Sequence, residues 1–302
     1  MIAKSDRDII AIPLKNVTYH WLVESSTEWK SDIAEARSLV GEHLKISKSA
    51  IVTSFGLYWM PWDFRHRGKD RPRMWWCPTG PFAHLPIDAA GVQNSRCSDY
   101  VVSSYTPTLG ALLAARSAYA RVEKQRVRVL AAAVPQSYAA QWKDLLFASE
   151  DVAAVKAIVP EGAAITISSD DDSQSGDVGV TVAAFLEKLL QATMVHLACH
   201  GHQDADDPLN SGFVMCDETL TIERLMPIPL PNAFMAFLSA CETAKGDIKQ
   251  PDQAIHLAAT MLFAGFKSVI ATLGGLKVGD YALIMCWIMR RFCVDSGVAT
   301  RL

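Results

Sequence analysis

MVHLACHGHQD (Met194–Asp204) and AFMAFLSACETAKG (Ala233–Gly246) are the two stretches that decide the fold. Each opens as an apolar run that reads as a buried strand. Each then turns polar beside residues that carry chemistry: His200 and Gly201 in the first, Cys241 in the second. Two parallel strands that end together bring an imidazole and a thiol to one rim, which is where open α/β sheets place their ligand sites.

Outward from this pair, the second half of the chain alternates strand and helix. VRVLAAAV (127–134) reads as a buried strand, FASEDVAAVKAIV (147–159) as a helix with Glu150 and Asp151 in its first turn, and AAITIS (163–168) as another strand. After the polar loop SSDDDSQSGD, the spacing of Val182, Phe185, Leu186, Leu189 and Leu190 predicts a helix over 181–192 with one apolar face. GFVMCDETLTIERLMPIPLP predicts a short hairpin turning at Asp217 and Glu218. A helix over 252–265 stopped by Gly265, a strand SVIATL and a last helix YALIMCWIMRRF complete the series. This order implies an α/β fold with a mostly parallel sheet covered by helices on both faces.

The first half is less regular. VTYHWLVESSTEWKSDIAEARSLVGEHL reads as mainly helical, RMWWCPTG and DYVVSSYTP as strands around a Pro-rich bend, and LGALLAARSAYARVEK as a helix. No internal repeat and no linker interrupts the chain, so the reading is one unit: an N-terminal lobe over residues 1–126 and the α/β half over 127–302.

Bulk properties exclude several classes. Net charge is −3, from 29 basic and 32 acidic residues, and no sign excess points to nucleic acid or an anionic membrane. YALIMCWIM is too short to span a bilayer, and MIAKSDRDII lacks the apolar core of a signal peptide, so a cytoplasmic location is expected. Seven cysteines (Cys77, Cys97, Cys199, Cys216, Cys241, Cys286 and Cys293) are an odd number without a CxxC pair, which fits reduced thiols.

A free thiol is mostly protonated at neutral pH, and an imidazole within hydrogen-bond reach can take its proton. The pair therefore suits cysteine-peptidase chemistry, with Cys241 attacking a scissile carbonyl and His200 moving protons. Backbone N–H groups of Gly201 and Cys241 are natural oxyanion donors, Gly201 because glycine lets the backbone turn and approach a ligand. Asp204, Glu242 and Asp247 could each orient the imidazole, and the sequence does not choose among them. Competing readings are structural. Cys199, Cys286 and Cys293 read as small buried hydrophobes, His196 as a structural histidine and His202 as solvated. Trp59, Trp62, Trp75 and Trp76 read as packing in the N-terminal lobe. A zinc site from His196, Cys199, His200, His202 and Cys216 is disfavoured, since alternation sends Cys199 to the opposite face from His196 and His200. No metal and no cofactor is expected.

WWCPTGPFAHLPIDAAG, SDYVVSSYTPTLGALLAAR, VHLACHG, LSACETA and AGFKSVIATL, in that order between about Ile12 and about Asp280, resemble the CHAT domain, particularly its fungal members. The resemblance implies kinship with caspase and separase cysteine peptidases: a caspase-like three-layer αβα sandwich, with His200 as base and Cys241 as nucleophile. It implies a protein or peptide substrate and an activating protein with helical repeats; the charge balance points to neither nucleic acid nor membrane as partner. The chain departs from the family at Gly274, where a Trp is usual, and at Val278, where an acid is common; Asp280 keeps its carboxylate. Asp280 could pair with a basic substrate side chain, or cap the helix that follows it. Family members generally continue beyond the position of Leu302, which suggests a truncated copy. Two functions follow as expectations: a cysteine endopeptidase acting with an activating partner, or a non-catalytic interaction module that keeps the fold.

Overall fold

The computed structural model describes residues 2–3, 9–10, 18–38, 71–89, 91–92, 95–117, 124–145, 148–160, 162–167, 179–204, 206–239 and 257–271. They fall into two compact units, Met1–Tyr105 and Thr106–Leu302. In the first, helix α1 (Tyr19–Ser38) carries Leu22 into a small core with Leu85, flanked by Trp21 and Phe82. Strands β1 (Arg73–Trp76) and β2 (Val102–Tyr105) pair in parallel, from Arg73 opposite Val102 to Trp76 opposite Tyr105. Trp76 packs with Phe82 and Trp21 about Ile87, which gives it the packing role the sequence suggests. Trp59 and Trp62 lie outside the described residues.

The second unit begins with α2 (Leu109–Ser117) and is built on β3 (Val129–Ala133), β4 (Ala164–Ile167), β5 (Met194–Ala198), β9 (Met235–Ser239) and β10 (Ser268–Ile270). These form one sheet in the order β10-β9-β5-β3-β4, with every neighbouring pair parallel. The α/β reading of the sequence therefore holds. Strands β3, β5 and β9 are apolar at nearly every position because both faces are covered. On one face Leu130, Val195, Leu197 and Leu238 pack with helices α4 (Val182–Leu189), α5 (Ile222–Leu225) and α6 (Leu257–Phe263). On the other, Val129, Ala131, Met194 and Phe237 pack with α3 (Ala148–Lys156). Helix, sheet and helix make three layers.

Local chemistry sets the helix ends. The Thr181 hydroxyl accepts from the Ala184 N–H at 3.1 Å and caps α4. Leu190 caps that helix with its N–H on the Leu186 carbonyl and, although expected on the buried face, is about half exposed at the edge of the stripe formed by Val182, Phe185 and Leu189. After α6, Gly265 adopts φ +120°, and the Phe266 N–H reaches back to the Met261 carbonyl at 3.1 Å. The expected hairpin forms from β7 (Gly212–Val214) and β8 (Thr219–Thr221), closed by a turn in which the Asp217 carboxylate accepts from the N–H groups of Val182 and Glu218. The predicted helix YALIMCWIMRRF lies outside the described residues. Among the described residues no helix is long and apolar enough to cross a membrane.

Candidate active site

Strand β3 connects to β4 on one side of the sheet, whereas β5 connects onward to β9 and β10 on the other. The boundary between β3 and β5 is thus the point where strand order reverses. In open α/β sheets the crevice for ligands lies there, beyond the carboxyl ends of the strands. His200 follows β5 and the loop 134–145 follows β3, so both arrive at this crevice.

The sequence reads MVHLACH as one strand ending at His200. In the structure β5 ends at Ala198, and after Cys199 the chain re-enters as β6 (His200–His202), antiparallel to β7. His200 stands opposite Val214, Gly201 opposite Phe213 and His202 opposite Gly212, which joins β6 to the hairpin as a three-stranded sheet. At position 212 the close approach of β8 to β7 tolerates only glycine. A Cβ on Gly212 would stand 2.3 Å from the Leu220 carbonyl oxygen across the hairpin. Gly201 is in a strand and not at positive φ, so the turning freedom expected of it is not used here.

Alternation along β6 points His200 and His202 to the same side. Both meet Trp142, whose ring centroid is 5.2 Å from the His200 imidazole at an interplanar tilt of 32° and 5.8 Å from His202 in an edge-on arrangement. His202 is half-buried in this contact, where the sequence suggests a solvated side chain. The next residue supplies the polar partner. The Lys143 carbonyl oxygen lies 2.6 Å from His200 Nε2. A carbonyl accepts and cannot donate, so Nε2 carries the hydrogen and the lone pair of the neutral ring falls on Nδ1.

The loop that holds these two groups is tied down. The Val134 N–H donates to the Ala198 carbonyl at 2.8 Å, and the Leu145 N–H closes the loop on the Pro135 carbonyl at 2.8 Å. Tyr138 anchors its middle, with its N–H on the Met215 carbonyl at 3.4 Å and its hydroxyl 3.3 Å from that of Thr219. Neither Trp142 nor the Lys143 carbonyl is singled out by the sequence. A main-chain acceptor has no residue type, and the loop is 57 positions away in the chain.

Of the three carboxylates that could orient His200, Asp204 is described, and it serves its own loop. Its Oδ1 accepts from the N–H groups of Asp207 and Asp206, each at 2.9 Å, and these bonds hold its carboxyl below the usual range. Glu242 and Asp247 lie outside the described residues, as do Cys241, Gly274, Val278, Asp280, Cys286 and Cys293. Burial raises the thiols of Cys77, Cys97 and Cys216, which opposes thiolate formation at each. Cys199 is buried in the core, as a small hydrophobe would be. Among the described residues no three His, Cys, Asp or Glu side chains gather in a group able to hold a metal ion.

Beneath the rim lie two more buried polar groups. His196, fully buried against Phe237, has neither ring nitrogen paired among the described residues, and burial pushes its pKa down to about 4. It is a neutral structural histidine. On the α3 side the Ser239 hydroxyl donates to Asp151 at 3.1 Å; burial raises that carboxyl, and the Ser239 bond offsets part of the rise.

A three-layer sheet with a backbone-oriented histidine at its switch point defines an α/β domain with a strand-end site. The chain belongs to the CHAT domain family, which it matches over residues 50–293. Among curated proteins, none matches it.

Proposed function

We propose that the protein is a cysteine endopeptidase of the caspase and separase type, fungal in kind, with Cys241 as nucleophile and His200 as the proton-moving base. Register carries the proposal. Ser239 of β9 is paired in parallel with Ala198 of β5, and Cys241 and His200 each stand two positions further along those chains. Paired parallel strands that end together send the residues that follow them to the same rim of the sheet, where β6 carries His200. The Lys143 carbonyl on Nε2 supports the same reading, because it leaves Nδ1 to accept the thiol proton.

In the proposed reaction Nδ1 takes the proton from Cys241, and the thiolate attacks the scissile carbonyl to form a C–S bond. Backbone N–H groups of Gly201 and Cys241 are the proposed donors to the resulting oxyanion. Collapse of this intermediate breaks the C–N bond, and the His200 imidazolium gives its proton to the leaving amine. A water molecule, deprotonated by His200, then attacks the thioester and restores the thiol. Asp280 is proposed to receive a basic side chain just before the scissile bond. An activating protein partner in the cytoplasm is part of the proposal, since Gly274 stands where the family usually has a bulky Trp beside the pocket.

Gly274 and Val278 also favour the second reading, a non-catalytic interaction module that keeps the fold. A peptide-like electrophile separates the two. Covalent capture at Cys241, abolished in Cys241→Ala, supports the peptidase; no capture, with or without cell extract as a source of activator, supports the module.

A further inference from the structure

Trp142 occupies a position that the peptidase chemistry above does not use. Its indole is half-buried between the two imidazoles of β6, tilted by 32° toward His200 and edge-on to His202. Its backbone is fixed as well, with the Trp142 N–H on the Ala139 carbonyl at 3.0 Å and Lys143 adjoining. Two consecutive residues therefore constrain one imidazole: the Lys143 carbonyl fixes a ring nitrogen, and the Trp142 face fixes the ring plane. An aromatic face within about 6 Å of a cation attracts it through the ring quadrupole. A protonated imidazole at 5.2 Å lies inside that range, whereas a neutral one gains only packing.

We infer that Trp142 is a positioning residue for His200, holding its ring and favouring its protonated form, so that the imidazolium partner of a thiolate is stabilised from the side of β3. This rests on the reading of His200 as the proton-moving group. Titratable neighbours are His202 on the same strand, Asp204 just after it, and the exposed Lys143 and Asp144 of the loop. His202 shares the indole, so its protonation competes with that of His200 for the same face.

The test is an NMR titration of the His200 Cε1–H signal in the full chain carrying Cys241→Ala, which removes the proposed nucleophile from the measurement. In Trp142→Leu the His200 pKa should fall by ~0.5 or more, and Trp142→Phe should recover most of that loss. His202→Gln, which frees the indole, should move it the other way. An unchanged His200 pKa in both Trp142 variants overturns the inference. If Trp142→Leu does not fold, the fluorescence component absent from Trp142→Phe provides a second reading. It should be quenched in step with His200 protonation and lose that dependence in His200→Gln; a pH-independent signal overturns the inference equally. Electrophile capture at Cys241, run in parallel on the chain with its natural cysteine, keeps the two claims apart. Capture without any Trp142-dependent pKa refutes the positioning role alone, and a Trp142-dependent pKa without capture refutes the peptidase alone.

Discussion

His196 makes the chain sensitive to mild acid, and replacing it with Leu should remove that sensitivity. The residue is fully buried in β5 with both ring nitrogens unpaired among the described residues, and its pKa falls from the usual 6.5 to about 4. Between those values the unfolded chain binds a proton that the folded chain refuses. The stability this group preserves is therefore complete above pH 6.5 and is lost as pH falls through about 4. The loss reaches ~2 kcal/mol by pH 5 and ~3 kcal/mol at its limit. Leu has a similar bulk, keeps the contact with Phe237 and removes two nitrogens that lack partners, so His196→Leu should be at least as stable as the natural chain at pH 7.5. Urea unfolding at pH 7.5, 6 and 5 measures both proteins, and contributions from other groups cancel in the difference. The variant's advantage should grow by ~2 kcal/mol between pH 7.5 and pH 5. An advantage that stays constant within ~0.5 kcal/mol, with unchanged urea slopes, would refute the argument from burial.

Asp151→Asn should raise stability at neutral pH, because the amide can still accept from Ser239 without a buried charge; the gap should close as pH falls toward the raised carboxyl pKa, and a gap that widens in acid contradicts this. Gly212→Ala should cost roughly 1–3 kcal/mol, since the new methyl meets the Leu220 carbonyl, and it should shift the His202 and His200 NMR signals through β6; unchanged signals argue against the pairing. Phe185→Ala, at a fully buried position of α4, should cost roughly 3–5 kcal/mol by urea unfolding, while the exposed Leu190→Ala should cost far less.

Much of the second unit is legible because its strands are short, mostly apolar and bounded by polar turns. β3, β4, β5, β9 and β10 fall where the hydrophobic runs fall, and the Asp217 turn marks the hairpin. What pattern could not reveal was pairing between distant segments. HLACHGH keeps a strand's composition through Cys199, and only the partner strand Gly212–Val214 shows that His200 has left one sheet for another. Leu190 differs for a related reason: it continues the helical turn, with its N–H on the Leu186 carbonyl, but stands at the edge of the face that Val182, Phe185 and Leu189 bury, and only the packing partner shows where that face stops. At the site, His200 was visible as an imidazole following a buried strand. For its orienting partner the sequence offers carboxylates, since side chains are what a sequence displays, and the group that meets it is a peptide carbonyl. Trp142 was invisible for want of any local pattern linking a loop tryptophan to a histidine on another strand.

The proposed dyad is tested most directly by the pH dependence of Cys241 alkylation, followed by mass spectrometry at that residue in the natural chain and in His200→Gln. A thiolate paired with the His200 imidazolium should keep reacting well below the ordinary thiol pKa of ~8.5, and His200→Gln should return the profile to that range. An ordinary thiol profile in both proteins would contradict the dyad.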